Sequence, residues 1–286
     1  MSRIAWYYAR FDLPDDWEPT GYSLDAERGR LEFSSRDGFQ GQLAWQKTKR
    51  TPDLGHTLDH FYKQYLKVNE PDRVSHFNGL RQIELGQFLL AIDSDDRPCQ
   101  AALFLPDEKM LLCWTLPDAR KKTLEQLKQI LLSFSANSGE YREWRLFGLD
   151  LTLPASYSPI SLEALPASTK IVFEGKKSCR LTFRRWGLPK HLLKDTDLKN
   201  FYHRHLRADK CAVKHAEIVP YRDFDAASVV YTSRAEKGVE KLYGRWPGLG
   251  FAWHDVEENR IYAWEQTGPK RYKRLEVEDV FLSQKG

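Results

Sequence analysis

The sequence lacks any run approaching the roughly 18–20 apolar residues that a membrane helix needs. It also lacks clustered cysteine: Cys99, Cys113, Cys179 and Cys211 lie far apart and form no CxxC pair. Free, mostly buried thiols are therefore expected rather than a disulfide framework. No GxSxG, P-loop or kinase set is present, so no reaction is named by a motif. The opening, MSRIAWYYARFDLP, places charge and aromatics where a signal peptide carries a continuous apolar segment. A cytoplasmic protein is the expectation.

Apolar and aromatic residues are plentiful enough for two ordinary cores, and 286 residues is a length for about two domains. The net charge of +4 is unevenly placed. Residues 1–140 hold 18 Lys and Arg against 21 Asp and Glu, whereas residues 141–286 hold 26 against 19. The second half is basic, which orients an encounter with an acidic partner or draws the halves together.

One unit is written twice. LDHFYKQYL at 58–66 and LKNFYHRHL at 198–206 place Phe61 and Phe201 140 positions apart. Pro14 and Pro154, in FDLPDDW and LTLPASY, share that spacing. Strand-like runs at 4–13, 21–24, 30–33 and 42–45 precede a helix whose stripe is Leu54, Leu58, Phe61, Tyr62, Tyr65 and Leu66. Runs at 81–85, 88–92, 99–105 and 110–116 then read as an antiparallel meander, followed by a helix bearing Leu124, Leu127, Leu131 and Phe134. After the linker SANSG the order recurs, with strands at 144–153, 170–173, 180–183, 227–232, 249–254 and 260–265. Residues 180–183 match 42–45 with a shift of two, Trp114 and Trp264 align, and 275–282 reads as a short closing helix. The domains expected are 1–137 and 138–286.

This order, with its LP-x-x-aromatic turn and ILLSF ending, resembles the Mog1/PsbP-like family, which includes bacterial DcrB-like proteins. In the first unit the resemblance rests on 11–17, 58–66, 101–114 and 123–134, and in the second on 151–157, 198–206 and 251–264. The second unit departs from it in lacking the closing SF. The resemblance implies α+β architecture: two tandem α/β/α sandwiches, each an antiparallel sheet flanked by helices. It also implies a non-catalytic protein that binds other macromolecules. Known members bind a small GTPase or a photosystem, and nothing here carries either partner over.

His56 and His60 share a helix face at the i, i+4 spacing zinc sites use, but no glutamate follows His56. A third ligand would come from elsewhere, such as His76, so two solvated histidines is the preferred reading. His203, His205, Cys211 and His215 cluster in sequence, but positions i and i+2 of a helix point about 200° apart. His205 belongs to the apolar stripe, and no metal or other cofactor is expected. Gly248-Leu-Gly250 lacks the rest of a dinucleotide fingerprint and reads as a turn into a strand. Asp93, Asp95 and Asp96 lack EF-hand spacing and read as a hairpin turn.

Basic and aromatic residues concentrate in the second unit. Lys176, Lys177, Arg180, Arg184, Arg185, Trp186, Lys190 and Lys194 form one stretch; Lys270, Arg271, Tyr272, Lys273 and Arg274 form another. Alternation puts Arg180, Thr182 and Arg184 on one strand face and Leu181 and Phe183 on the other. Of the nine tryptophans, Trp246, in Arg-Trp-Pro-Gly, reads as lying in an exposed turn that anchors a partner. The candidate partner-binding residues are thus Arg184, Arg185, Trp186, Trp246, Lys270, Arg271, Lys273 and Arg274. An acidic protein is the first reading of the partner. Nucleic acid is the alternative, with cations on phosphates and rings on bases.

Overall fold

The computed structural model describes residues 2–69, 72, 80–85, 87–92, 100–116, 121–221, 224–234, 244–269 and 281–282. Of these, 57% are in strands and 18% in helices, which corrects the expected α/β/α sandwiches to a β-rich fold. The chain divides into two compact units, Met1–Ser138 with Glu143–Leu146, and Gly139–Arg142 with Phe147–Gly286.

In unit 1, β1 (Ser2–Trp6) and β2 (Ala9–Leu13) form a hairpin where a single strand was expected. Tyr7, at φ 45, turns the chain between them. Next come β3 (Glu18–Tyr22), β4 (Arg28–Ser35), β5 (Gly38–Lys47) and α1 (Leu54–Asn69). They are followed by β6 (Arg81–Leu85), β7 (Phe88–Ile92), β8 (Gln100–Leu105), β9 (Met110–Thr115), α2 (Lys121–Ser133) and β10 (Ser135–Ala136). Seven strands make one antiparallel sheet in the order β3-β4-β5-β9-β8-β7-β6. The β1–β2 hairpin pairs on one side with β10 and on the other with β11 (Tyr141–Leu146), where Ala5 meets Arg145.

Period-two patterning makes these strands: Leu31 and Phe33 are buried while the alternate residues Arg30 and Glu32 reach solvent and pair at 2.7 Å. One sheet face takes α1 through Leu58 and Tyr62, packed with Ala91, Ala102 and Leu111. On the other, Phe11 of the hairpin meets Phe33 and Trp114 edge-on.

Unit 2 holds β12 (Leu149–Pro154), β13 (Ser158–Leu165), β14 (Ser168–Glu174), β15 (Arg180–Trp186), α3 (Pro189–Leu192) and α4 (Leu198–Ala208). There follow β16 (Ala212–Tyr221), β17 (Phe224–Arg234), β18 (Arg245–Asp255), β19 (Arg260–Thr267) and β20 (Phe281–Leu282). Its seven-stranded sheet runs β13-β14-β15-β19-β18-β17-β16, the same order as in unit 1.

Register extends the likeness to single rungs. Leu31 faces Leu43, and Ile171 faces Phe183, both residues displaced by 140. The expected shift of two residues is therefore corrected: residues 42–45 correspond to 182–185. Leu43 faces Trp114 and Phe183 faces Trp264, so the shared tryptophans occupy one rung. The strand expected at 144–153 is broken, as in unit 1, by a left-handed residue: Phe147, at φ 52, stands 140 after Tyr7. Most of the expected closing helix lies outside the described residues, and Phe281 and Leu282 pair with β12 as strand instead.

The helix of unit 2 is amphipathic and short. Asp197 caps it by accepting from the Asn200 N–H at 2.7 Å. Phe201, Tyr202 and Leu206 are buried against Ala227, Val229, Ala252 and Ala263 of the sheet. Small alanines on the strands let the large helix side chains approach closely.

Candidate functional site

The helix-facing side of the unit 2 sheet carries a buried ionic cluster. On β15 and β19 the inward positions include Trp186, Ile261 and Ala263, and among them Arg184 and Glu265. Both charged side chains are buried, at 9% and 7% exposure. Arg184 Nε donates to Glu265 Oε1 at 2.7 Å, and its terminal nitrogen donates to Asp209, the residue that caps the C-terminus of α4. Lys170 of β14 reaches the same Asp209 oxygen at 3.3 Å. The cluster holds two cations and two carboxylates, so it is balanced and ties the sheet to the end of the helix.

Electrostatics follow from this geometry. Burial disfavours the Arg184 charge, but Glu265 and Asp209 outweigh it and hold the guanidinium firmly protonated. Burial likewise opposes ionisation of Asp209, and Arg184 and Lys170 more than reverse that, lowering its carboxyl. Glu265, more deeply placed, is pushed up by burial, and Arg184 draws it back only in part. Cys211 is pushed up to about 12 by burial, with Glu265 and Asp209 adding to it. The thiol is therefore protonated at neutral pH and no nucleophile.

Two tyrosines roof the cluster. Tyr202 of α4 brings its hydroxyl over Gly250 of β18, where an added Cβ would stand 2.1 Å from that oxygen and 3.3 Å from Glu265 Cγ. Gly248 lies opposite Tyr231, whose ring occupies the space a side chain would take. The Gly-Leu-Gly expected as a turn is thus mid-strand, and its glycines make room for tyrosine. Unit 1 has no such cluster at the matching rungs. Ala44 faces Cys113 where Arg184 faces Ala263, and Thr115 faces Gln100 where Glu265 faces Gly250.

The sequence candidates are dispersed by the fold. Arg184, Trp186 and Trp246 are buried, at 8%, 7% and 4% exposure, so none offers the surface expected of it. Trp246 lies on β18 and not in a turn. Arg185 is partly buried and donates to the Phe147 carbonyl at 3.4 Å. Lys270, Arg271, Lys273 and Arg274 lie outside the described residues, as do His76, Asp93, Asp95 and Asp96. His56 and His60 are exposed on α1. His205 is wedged between Trp186 and Phe201, at centroid distances of 4.9 and 4.5 Å, and burial together with Arg184 lowers its pKa. His215 is exposed on β16 near Glu217. No group of three or more His, Cys, Asp or Glu side chains suited to a metal occurs among the described residues.

What the fold does gather is a cationic rim. Lys190 and Lys194 about α3, Arg204 and Arg207 on α4, Lys210 just beyond it and Lys214 on β16 are all exposed. None of them has an ion-pair partner among the described residues. Leu192, Leu193, Leu198 and Val213 anchor these segments to one core, which places the rim on one side of unit 2. The matching outer face of α1 carries Phe61, Lys63, Gln64 and Lys67. The sequence reading held Lys190 and Lys194 in its basic stretch but missed Arg204, Arg207, Lys210 and Lys214, because the rim's cations are spread over 25 residues and three elements. Its available signal was the run His-Arg-His-Leu-Arg-Ala-Asp-Lys at 203–210.

In comparisons with known proteins, no family model matches the chain and no curated protein is similar to it. Nothing in them identifies a Mog1/PsbP-like domain. Among the described residues no helix is long and apolar enough to cross a membrane.

Proposed function

We propose that this chain is a non-catalytic, cytoplasmic binding protein that engages an acidic protein partner through the cationic rim of unit 2. The observation that carries the reading is the contrast between rim and cluster. The charges of Arg184, Glu265, Asp209 and Lys170 satisfy one another, whereas the rim cations are exposed without ion-pair partners among the described residues. Long-range attraction of an acidic surface is what such an array does best. A protein is favoured over nucleic acid because Trp186, the ring of the 176–194 basic stretch that would stack on bases, is buried. Unit 1, with an uncharged underside at the same rungs, serves in this reading as the structural partner of the pair.

The test is capture from a native-cell lysate, treated with nuclease, by the full chain and by its R204E/R207E/K210E variant. The expected result is a stoichiometric acidic protein that survives nuclease, dissociates as salt rises and is lost with the variant. A partner held equally by the variant overturns the rim as the site. Recovery that collapses under nuclease overturns the protein-partner reading in favour of nucleic acid.

A further inference from the structure

Four strands end the two seven-stranded sheets: β3 and β6 in unit 1, β13 and β16 in unit 2. Each leaves one row of backbone N–H and C=O groups without a strand partner among the described residues, a surface that natural proteins usually blunt. β3 and β6 have five residues each, and β3 is further interrupted at Pro19. β13 has eight, but its register breaks between Pro159 and Ser161, and its one charged residue is Glu163. β16 is the longest at ten residues, and it follows closely on α4 and Lys210 with their exposed cations.

Along β16 the register breaks between Val213 and His215, and Pro220 has no N–H to give. Between these two interruptions, residues 215–219 form a continuous ladder whose inner side pairs with β17. On the helix-covered side of that window Ala216 packs on the core, while Ile218 stays 51% exposed. Lys214 stands at its start, and α4, carrying Arg204 and Arg207, packs directly upon β16.

We infer that the partner contributes an extended acidic segment, which adds a strand to the unit 2 sheet along residues 215–219 of β16. This rests on the acidic-partner reading above and specifies its chemistry. Backbone hydrogen bonds supply affinity, an apolar side chain of the segment covers Ile218, and carboxylates two residues to either side of it, on the same helix-covered face, meet Arg207 and Lys210. The bulge and Pro220 confine pairing to a short window, so a peptide segment fits where a second full-length β16 edge meets interruptions at both ends.

The experiment titrates the full chain with a blocked peptide that carries Glu, Val and Glu at alternate positions with Thr between them, and with its twin N-methylated at every second residue. Methylation keeps the charge and removes the strand's hydrogen-bonding edge. The expected result is binding of the first peptide, slowed amide exchange at 215–219, and affinity lower by about tenfold or more for the twin. Equal affinity of the two, protection elsewhere, or no binding of either overturns the strand-addition inference and leaves the acidic-partner reading to the lysate test. Binding of the first peptide that is unchanged in the R207E/K210E variant overturns the rim's part in both. A chain that runs as a dimer, with its β16 amides already protected, overturns the inference in favour of self-association.

Discussion

Arg184 Nε donates to Glu265 Oε1 at 2.7 Å across a sheet face otherwise lined by alanine, isoleucine and aromatic side chains. The two residues are 81 positions apart, on β15 and β19, and the same rungs in unit 1 hold Ala44 and Thr115. Removing one partner strands the other charge in a medium that cannot solvate it. R184M or E265M alone should therefore destabilise the chain by roughly 3–5 kcal/mol, whereas R184M/E265M should recover most of that loss. Urea unfolding of the four forms gives the coupling directly, and strict additivity of the single effects would show that the pair does not act as a unit.

Gly250 and Tyr202 form a second coupled pair. A methyl group at 250 meets the Tyr202 hydroxyl at 2.1 Å, so G250A should cost about 1–3 kcal/mol through overpacking. That hydroxyl is buried without a hydrogen-bond partner among the described residues. Y202F should accordingly be neutral or stabilising, and G250A/Y202F should regain much of the lost stability. Thermal melts of the three variants check this, and a double variant no better than G250A would place the clash elsewhere.

Cys211 should resist alkylation at pH 8 in the folded protein and react readily once unfolded. Its thiol is pushed up to about 12 by burial, then by the nearby Glu265 and Asp209 carboxylates. Peptide mapping after brief iodoacetamide treatment reads this site separately from Cys113, Cys179 and Cys99. Rapid labelling of Cys211 in the native state would mean that the cluster is open to solvent.

Acidification should remove stability through two groups in turn. The ordinary His205 value of 6.5 is lowered in the fold by burial and by Arg184, so the unfolded chain takes up the proton first. Its contribution is complete above about pH 6.5 and is lost as pH falls through the folded value. Asp209, lowered from 3.8 because Arg184 and Lys170 outweigh burial, loses its contribution at more acidic pH in the same sense. Glu265, raised by burial from 4.5, has the opposite sign: its contribution falls as pH rises through the folded value. The melting temperature should decline from pH 7 to 5, and H205L should flatten that decline. An unchanged slope in H205L would remove His205 from the account.

Much of the strand order was legible in sequence because a half-buried strand writes its two faces as alternating residues. The meander of β6 to β9 was legible instead as apolar runs between polar links, and the helix at 198–206 by its three-to-four-residue spacing. The hairpins were not: Tyr7 adopts left-handed backbone without being glycine, so no turn residue marked the first break, and the signal of Gly148 beside Phe147 in the second went unread. β13 and β16 were missed because edge strands expose most of their side chains and read as polar loop. With those strands uncounted, the helices took too large a share and the reading became α+β, to which the Mog1/PsbP-like resemblance added the helix-flanked sandwich.

The sequence by itself determined that one unit is repeated at a spacing of 140 and that the second copy is basic, since both are properties of residue order and composition. Alternation also determined that Arg184 and Leu181 point to opposite faces of their strand. Only the tertiary structure decided that both faces are buried, Arg184 with α4 on one side and Leu181 and Phe183 on the other. Burial depends on what packs over a face, and that partner comes from residues dozens of positions away. For the same reason Arg184 became half of a buried pair, while Arg204, Arg207 and Lys210, a helix apart from it in sequence, were left facing solvent.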